Sequence, residues 1–249
     1  MNPTAELSNA MQLAFDHFNH DLFNNKLPQI LFTNQRQQGM MGYFAPNRWT
    51  STRGKHCHEI AINPTYVGKA TLIELMQTLV HEMVHCWQFC HGKPGRAAYH
   101  NKEWSNKMIG VGLMPSSTGQ PGGAVIGQHM ADYPAPKGRF IKSCENLLKD
   151  KSFTLPWVDR FARESGITSD NEKLETITQA LADIDVVAAS QLTTKVENFF
   201  DAEAFVVQTL NTAKKVKSKY SCNECRLNVW GRPNLQLRCD DCNLVLIES

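Results

Sequence analysis

His81-Glu82-Met83-Val84-His85 places two imidazoles four residues apart, with a carboxylate one step after the first. On a helix, positions four apart share a face, so both rings can grip a single metal ion. Glu82 then reaches a water at that metal as general base, which is the H-E-x-x-H arrangement of zinc hydrolases. The alternative is a solvated helix face that happens to carry two His and a Glu. The neighbouring residues argue for burial instead: Leu72, Leu75, Met76, Leu79, Met83 and Trp87 recur at three- and four-residue steps and predict an amphipathic helix. Thr71 and Glu74 have the spacing of a capping box, which sets where that helix begins.

A catalytic zinc usually takes three protein ligands, so one more is needed. His91 lies six residues after His85, as the third ligand does in the metzincin pattern, but Gln88 stands where that pattern needs a turning glycine. If the helix continues, His91 points away from His85. Gly92 and Pro94 then read as the helix stop, and His91 as a last-turn residue facing the helix dipole. His100 is the better third ligand. It precedes a second helical stretch (Trp104, Met108, Ile109, Val111) that the loop from Gly92 to Tyr99 could fold back over the first, as in an αα-hairpin.

His-Glu-Met-Val-His, a histidine nineteen residues after the first, and Glu103-Trp104 beyond it resemble the SprT-like (Spartan) metallopeptidase family. Phe18 to Pro28 is similar to that family's opening helix and Leu-Pro exit, and Gly42-Tyr43-Phe44 and Glu59 to Asn63 to its next two strands. The resemblance spans residues 5 to 113. It implies that His81, His85 and His100 hold a catalytic zinc and that Glu82 is the catalytic base. The expected core is α+β and zincin-like: an N-terminal helix, a short three-stranded sheet and a two-helix metal site. Two readings of Glu103 stand: a group orienting a ligand imidazole, or an acid favourable in a helix's first turn. Tyr43, Tyr133 and Arg139 are the side chains considered for stabilising an oxyanion. His129 is expected to be no ligand, because three histidines already complete the site.

A second metal signal closes the chain. Cys222, Cys225, Cys239 and Cys242 form C-x2-C-x13-C-x2-C, the spacing of a zinc ribbon. Four thiolates leave no open position, so this zinc is expected to be structural. Val229-Trp230 and Leu235-Gln236-Leu237 read as strands of a hairpin turning through Gly231 to Asn234. So small a segment has little core, and the metal is expected to supply most of its stability. Cys57, Cys86, Cys90 and Cys144 have no ligand spacing among themselves and read as buried reduced thiols. With no secretory or membrane-length apolar segment, the expected setting is a reducing cytoplasm, near DNA if the resemblance holds, and no membrane.

Charge divides the chain. Residues 1–149 carry 14 Lys+Arg against 9 Asp+Glu, residues 150–204 carry 5 against 11, and residues 205–249 carry 7 against 4. The expected domains are a metallopeptidase domain (1–149), an acidic helical spacer or partner-binding segment (150–215) and the zinc ribbon (216–249). Leu174, Ile177, Ala180, Leu181, Ile184, Val187 and Ala188 read as one face of the acidic helix. Residues 114–139, rich in Gly, Pro and Ser, read as an irregular loop that either borders the cleft, offering edge hydrogen bonds to a peptide, or serves as a linker. Lys215, Lys217, Lys219, Trp230 and Arg232, with Tyr220 as a second aromatic, suit phosphate contacts and base stacking. An ordinary lysine-rich linker is the competing reading.

The resemblance implies a zinc endopeptidase that cleaves DNA-associated proteins, with DNA promoting the reaction and a zinc ribbon helping to bind it. The other function classes are a non-enzymatic zinc-ribbon DNA-binding module and a scaffold that recruits partners through its acidic helices.

Overall fold

The computed structural model describes residues 2–151, 153–163, 171–205 and 217–248. The chain divides into two compact units, Met1–Phe205 and Val206–Ser249.

The first unit opens with helix α1 (Pro3–Phe23). Asn2 caps it by accepting from the Ala5 N–H, Pro3 starts it, and Asn24 ends it in the left-handed conformation. Strands β1 (Ile30–Asn34), β2 (Gly42–Thr50) and β3 (His56–Ile62) follow, in the order β1-β3-β2. β3 runs parallel to β1 and antiparallel to β2, so β2 is an edge strand. Buried Glu59 of β3 accepts from Thr33 Oγ1 (2.7 Å), Tyr43 OH (3.0 Å) and Trp49 Nε1 (2.7 Å), tying all three strands in register.

A short helix α2 (Pro64–Val67) leads to α3 (Leu72–His91), which carries the His-Glu-x-x-His motif. Its capping box forms as expected: Thr71 accepts from the Glu74 N–H, and the Glu74 carboxylate accepts from the Thr71 N–H. Leu72, Leu75, Met76, Leu79 and Met83 are buried in the main core. The helix lies flush on β2 because Gly42 has no side chain: a Cβ there would sit 2.8 Å from Ala61 O and 2.9 Å from Thr78 Cγ2.

Helix α4 (Lys102–Val111) returns from α3 and ends at Gly112, whose φ of 93° favours glycine. The next stretch is more regular than its composition suggested. Strands β4 (Leu113–Ser116) and β5 (Ala131–Pro134) pair antiparallel across a long loop, because pairing satisfies their backbone groups beside α4. Helix α5 (Arg139–Lys151) packs on α1, with Phe140 stacked on Phe18 at 6.1 Å.

The acidic segment is not a spacer, and the first unit does not end at residue 149. Helices α6 (Asn171–Ala180) and α7 (Val186–Thr193) are followed by 3-10 turns at Val196–Phe199 and Ala202–Phe205. Phe153, Ile177, Leu181, Leu192 and Val196 join the same core as α1 and α3. The expected single apolar face is broken by residues 181–185, which leaves Val187 exposed; the Leu174 side chain lies outside the described residues. Charge complements burial. Asp159 pairs with Arg36 (2.8 Å) and Glu197 with Lys69 (2.7 Å), so the acidic stretch neutralises part of the basic one. Leu72 N–H donates to Thr194 O, closing the segment onto the start of α3.

In the second unit β6 (Ser218–Ser221) lies between β7 (Asn228–Gly231) and β10 (Ile247–Glu248), while β8 (Arg238–Cys239) pairs with β9 (Leu244–Val245). The expected hairpin between 229–230 and 235–237 is replaced. β7 pairs upstream with β6, and residues 235–237 form no strand. Each Cys-x-x-Cys is itself the turn, joining β6 to β7 and β8 to β9. Tyr220, expected as an exposed aromatic, is instead buried with Cys222, Cys239 and Leu246. No helix among the described residues is long and apolar enough to cross a membrane.

Glu145 ties α5 to the acidic segment. It is 4% exposed and accepts from Lys142 (2.7 Å), Lys149 (2.9 Å) and the Asp185 N–H (3.1 Å). The two lysine ammoniums hold its carboxyl down to about 2. Because that lies below the ordinary value of 4.5, the stabilisation is complete above about 4.5 and lost as pH falls through 2. Both lysines reach into solvent, which screens the pairs. Glu145→Gln is therefore expected to cost only about 1 kcal/mol at neutral pH. Denaturant titrations of both proteins down to low pH check this; the difference should shrink as acid protonates the wild-type carboxyl.

Candidate functional site

α3 holds His81 and His85 one turn apart, and the loop before α4 brings His100 to them. One nitrogen from each ring lies within 4.8 Å of the others. His85 Nε2 and His100 Nε2 are 3.1 Å apart, close to the edge of about 3.3 Å for nitrogens set tetrahedrally about 2.0–2.1 Å from zinc. The rings converge on a point, as ligands do. Burial, with the charge of His81 behind it, pushes His85 well below its ordinary value and His100 to about 4. Both are thus held neutral, the form that binds a metal. For His81 burial acts downward too, but its hydrogen bond to Asp132 and the charges of Glu82 and Asp132 raise it on balance. The donor set fits zinc.

On two of the rings the nitrogen facing away from this point is also occupied. His81 Nδ1 lies 2.9 Å from Asp132 Oδ2, and His100 Nδ1 lies 3.2 Å from Gly127 O. Oxygen acceptors at both Nδ1 atoms place the protons there and leave the Nε2 lone pairs for the metal. Trp104 walls the cluster, with ring centroids 5.0 Å from His81, 5.4 Å from His85 and 4.3 Å from His100. It is fully buried, and its indole N–H has no hydrogen-bond partner among the described residues.

Glu82, 7% exposed, accepts a hydrogen bond from the Phe44 N–H of β2. Burial raises its carboxyl above the ordinary value despite the attraction of His81, which suits a group that takes and returns protons. His91 is turned away, as expected, and its Nε2 lies 2.8 Å from Lys26 O. His129 is not part of the cluster. Glu103 touches no ligand ring; it accepts from the Lys93 N–H and from Gln88, clamping the end of α3 to α4. Of the side chains considered for an oxyanion, Tyr43 donates to Glu59 and Arg139 to Asp21 O and Gly110 O, while Tyr133 follows Asp132 on β5.

Asp132, Gly127 and Trp104 went unassigned in the sequence. Asp132 had one usable signal: it is the sole Asp, Glu, Lys or Arg between Lys107 and Lys137.

In the second unit the sulfurs of Cys222, Cys225, Cys239 and Cys242 lie within 4.8 Å of one another, with Cys225 and Cys239 at 3.6 Å. Zinc with sulfurs at about 2.3 Å needs about 3.8 Å between them. Backbone N–H groups, first that of Cys225, lower the Cys222 thiol to about 7 and favour the thiolate a metal binds. The other cysteines are reduced, but not all buried: Cys86 and Cys144 are, Cys57 is half-buried, and Cys90 is exposed beside His58 Nε2 at 3.7 Å. Lys219 pairs across the strands with Trp230, which is 65% exposed. The Arg232 carbonyl accepts from Tyr220 OH, and Lys217 precedes β6; Lys215 lies outside the described residues.

A helix-borne His-Glu-x-x-His pair completed by a third histidine is the arrangement of zinc-dependent peptidases. Residues 11–120 match the model of the SprT-like family, and the chain carries a SprT-like domain there. It is also 43% identical over 47 residues to a Salmonella typhimurium protein described as an uncharacterized protein in the mucB 3' region. That similarity covers 19% of this chain and 64% of the relative, under two thirds of its length. No solved structure matches the chain.

Two separate donor sets predict two zinc ions per chain. Mass spectrometry of the native protein should find both, with His85→Ala and Cys225→Ser each losing one. The cysteine variant should also lose protease resistance in residues 217–248, where the metal replaces a core.

Proposed function

We propose that this protein is a zinc-dependent endopeptidase acting on DNA-associated proteins. The observation that carries the peptidase reading is the convergence of His81, His85 and His100 beside the buried carboxylate of Glu82. These histidines would hold the zinc, which when bound supplies Lewis-acid polarisation of the scissile carbonyl and makes water more acidic. Glu82 takes the proton of the attacking water and returns it to the leaving amine. The Phe44 N–H holds Glu82 in place and supports a substrate path along β2. In an antiparallel pair an amide directed away from the partner strand faces the free edge, so the outer edge of β2 lies alongside Glu82. An extended peptide can add to that edge through main-chain hydrogen bonds, whatever its sequence.

The DNA half of the reading rests on family resemblance and on the ribbon. Lys219 and Trp230 stand side by side on one face of the β6–β7 pair, a cation beside an aromatic surface on which a base can stack. Lys217 and Arg232 extend the cationic character of this unit. DNA held there would raise the concentration of DNA-bound proteins near the peptidase unit.

The test compares wild type with Glu82→Gln on a basic DNA-binding protein, with and without DNA. The variant is expected to keep both zinc ions and lose on the order of 10²–10⁴-fold in cleavage rate. Undiminished cleavage by Glu82→Gln would overturn the mechanism. Equal wild-type rates with and without DNA would remove the DNA requirement and leave the chemistry standing. Wild type that binds DNA, holds one zinc and cuts nothing would be a ribbon module and no enzyme.

A further inference from the structure

We propose that Asp132 is a positioning residue that sets how tightly the histidine site holds its metal. This rests on the reading of His81, His85 and His100 as metal ligands, but needs no peptidase activity. Asp132 lies beyond residue 120, where the SprT-like match ends, on a strand that the sequence left as loop.

The geometry is a closed loop of contacts. The Asp132 carboxylate, 7% exposed, faces His81 Nδ1 through Oδ2. Its Oδ1 accepts from Gln77 Nε2 at 3.1 Å, and the same Gln77 nitrogen lies 3.2 Å from the Asp132 carbonyl. Gln77 stands one helical turn before His81, so α3 carries both the ligand and the residue that anchors its partner. The Gln77 amide has a single tolerable orientation, because flipping it would set oxygen against two oxygens. Its Oε1 is buried with no partner among the described residues, so the interaction with Asp132 is what the side chain is placed for.

Three effects on the metal follow. The carboxylate holds the His81 proton on Nδ1 and so presents Nε2 as a lone pair. It fixes the ring's rotation, removing an entropy cost at binding. Its negative charge makes the imidazole a better donor, as carboxylate partners of metal-bound histidines do. Gly127 O does the first of these for His100 without the charge. The β4–β5 hairpin therefore holds two of the three ligands from behind.

The experiment strips metal from the full-length protein and titrates zinc against a competing chelator. A parallel titration with cobalt separates the sites, since only the cysteine site gives thiolate charge-transfer absorption. Asp132→Ala is expected to weaken the histidine site on the order of 10–100-fold and leave the ribbon site unchanged. Asp132→Asn keeps an oxygen for the Nδ1 proton without the charge, and should fall between wild type and the alanine variant. A merely structural role would lower the thermal stability of the metal-free protein and leave both metal affinities intact. If Asp132→Ala does not fold, Asp132→Asn alone decides, and a histidine-site affinity equal to wild type overturns the proposal. Wild type binding metal only at the ribbon overturns this proposal together with the peptidase reading. Wild type binding two metals, with both variants unchanged, overturns this proposal alone.

Discussion

Three imidazoles brought within contact of one another, largely out of water, form the constraint on which the first unit depends. Such a group is tolerable only if the rings are neutral and their lone pairs share a target, because unpaired buried charge costs more than any single contact returns. The surroundings meet the first condition at His85 and His100 and set the Asp132 carboxylate as countercharge beside His81. Burial drives protons off His85 and His100, oxygen acceptors fix Nδ1 on His81 and His100, and the Trp104 indole packs against all three rings. The capping box of α3, the glycine that lets α3 lie on β2, and the Glu103 clamp between α3 and α4 all hold these rings in register.

Much of this is legible in the amino-acid sequence. His81, Glu82 and His85 could be grouped as candidates because a helix has a fixed period, and four residues is one face of it. The capping box and the apolar stripe were local signals and came out as read. Gln88 in place of glycine turned attention from His91 to His100, and it is the His100 ring that joins His81 and His85, since backbone direction follows from residue type at a turn. The four ribbon cysteines were legible for the same reason: a metal's geometry is written as spacing.

What escaped was set by pairing between distant segments. Asp132 is 51 residues from His81, and no periodicity connects them. Strands β4 and β5 are short, and their Gly- and Pro-rich connection masked them. In the ribbon, Val229-Trp230 formed a strand as read, but it pairs upstream with β6 across the first cysteine pair, and residues 235–237 form none. The acidic segment misled because its charges looked like a solvated surface. Those charges face cations on the basic part of the chain, at Arg36 and Lys69, while its apolar residues complete the core. Composition counts charge but does not say what the charge faces.

The closure of the acidic segment onto the start of α3 bears on the order in which the protein is built. The Leu72 amide meets the Thr194 carbonyl across more than half the length of the unit, so the motif helix leaves the ribosome long before its last neighbour does. Residue 120, where the family match stops, falls before much of what packs around the histidines. A nascent chain of that length has its three histidines but neither Gly127, Asp132 nor the apolar residues that seal the core behind them. The three histidines are therefore all in place in the chain by residue 100, while the residues that surround them are completed only with the acidic segment.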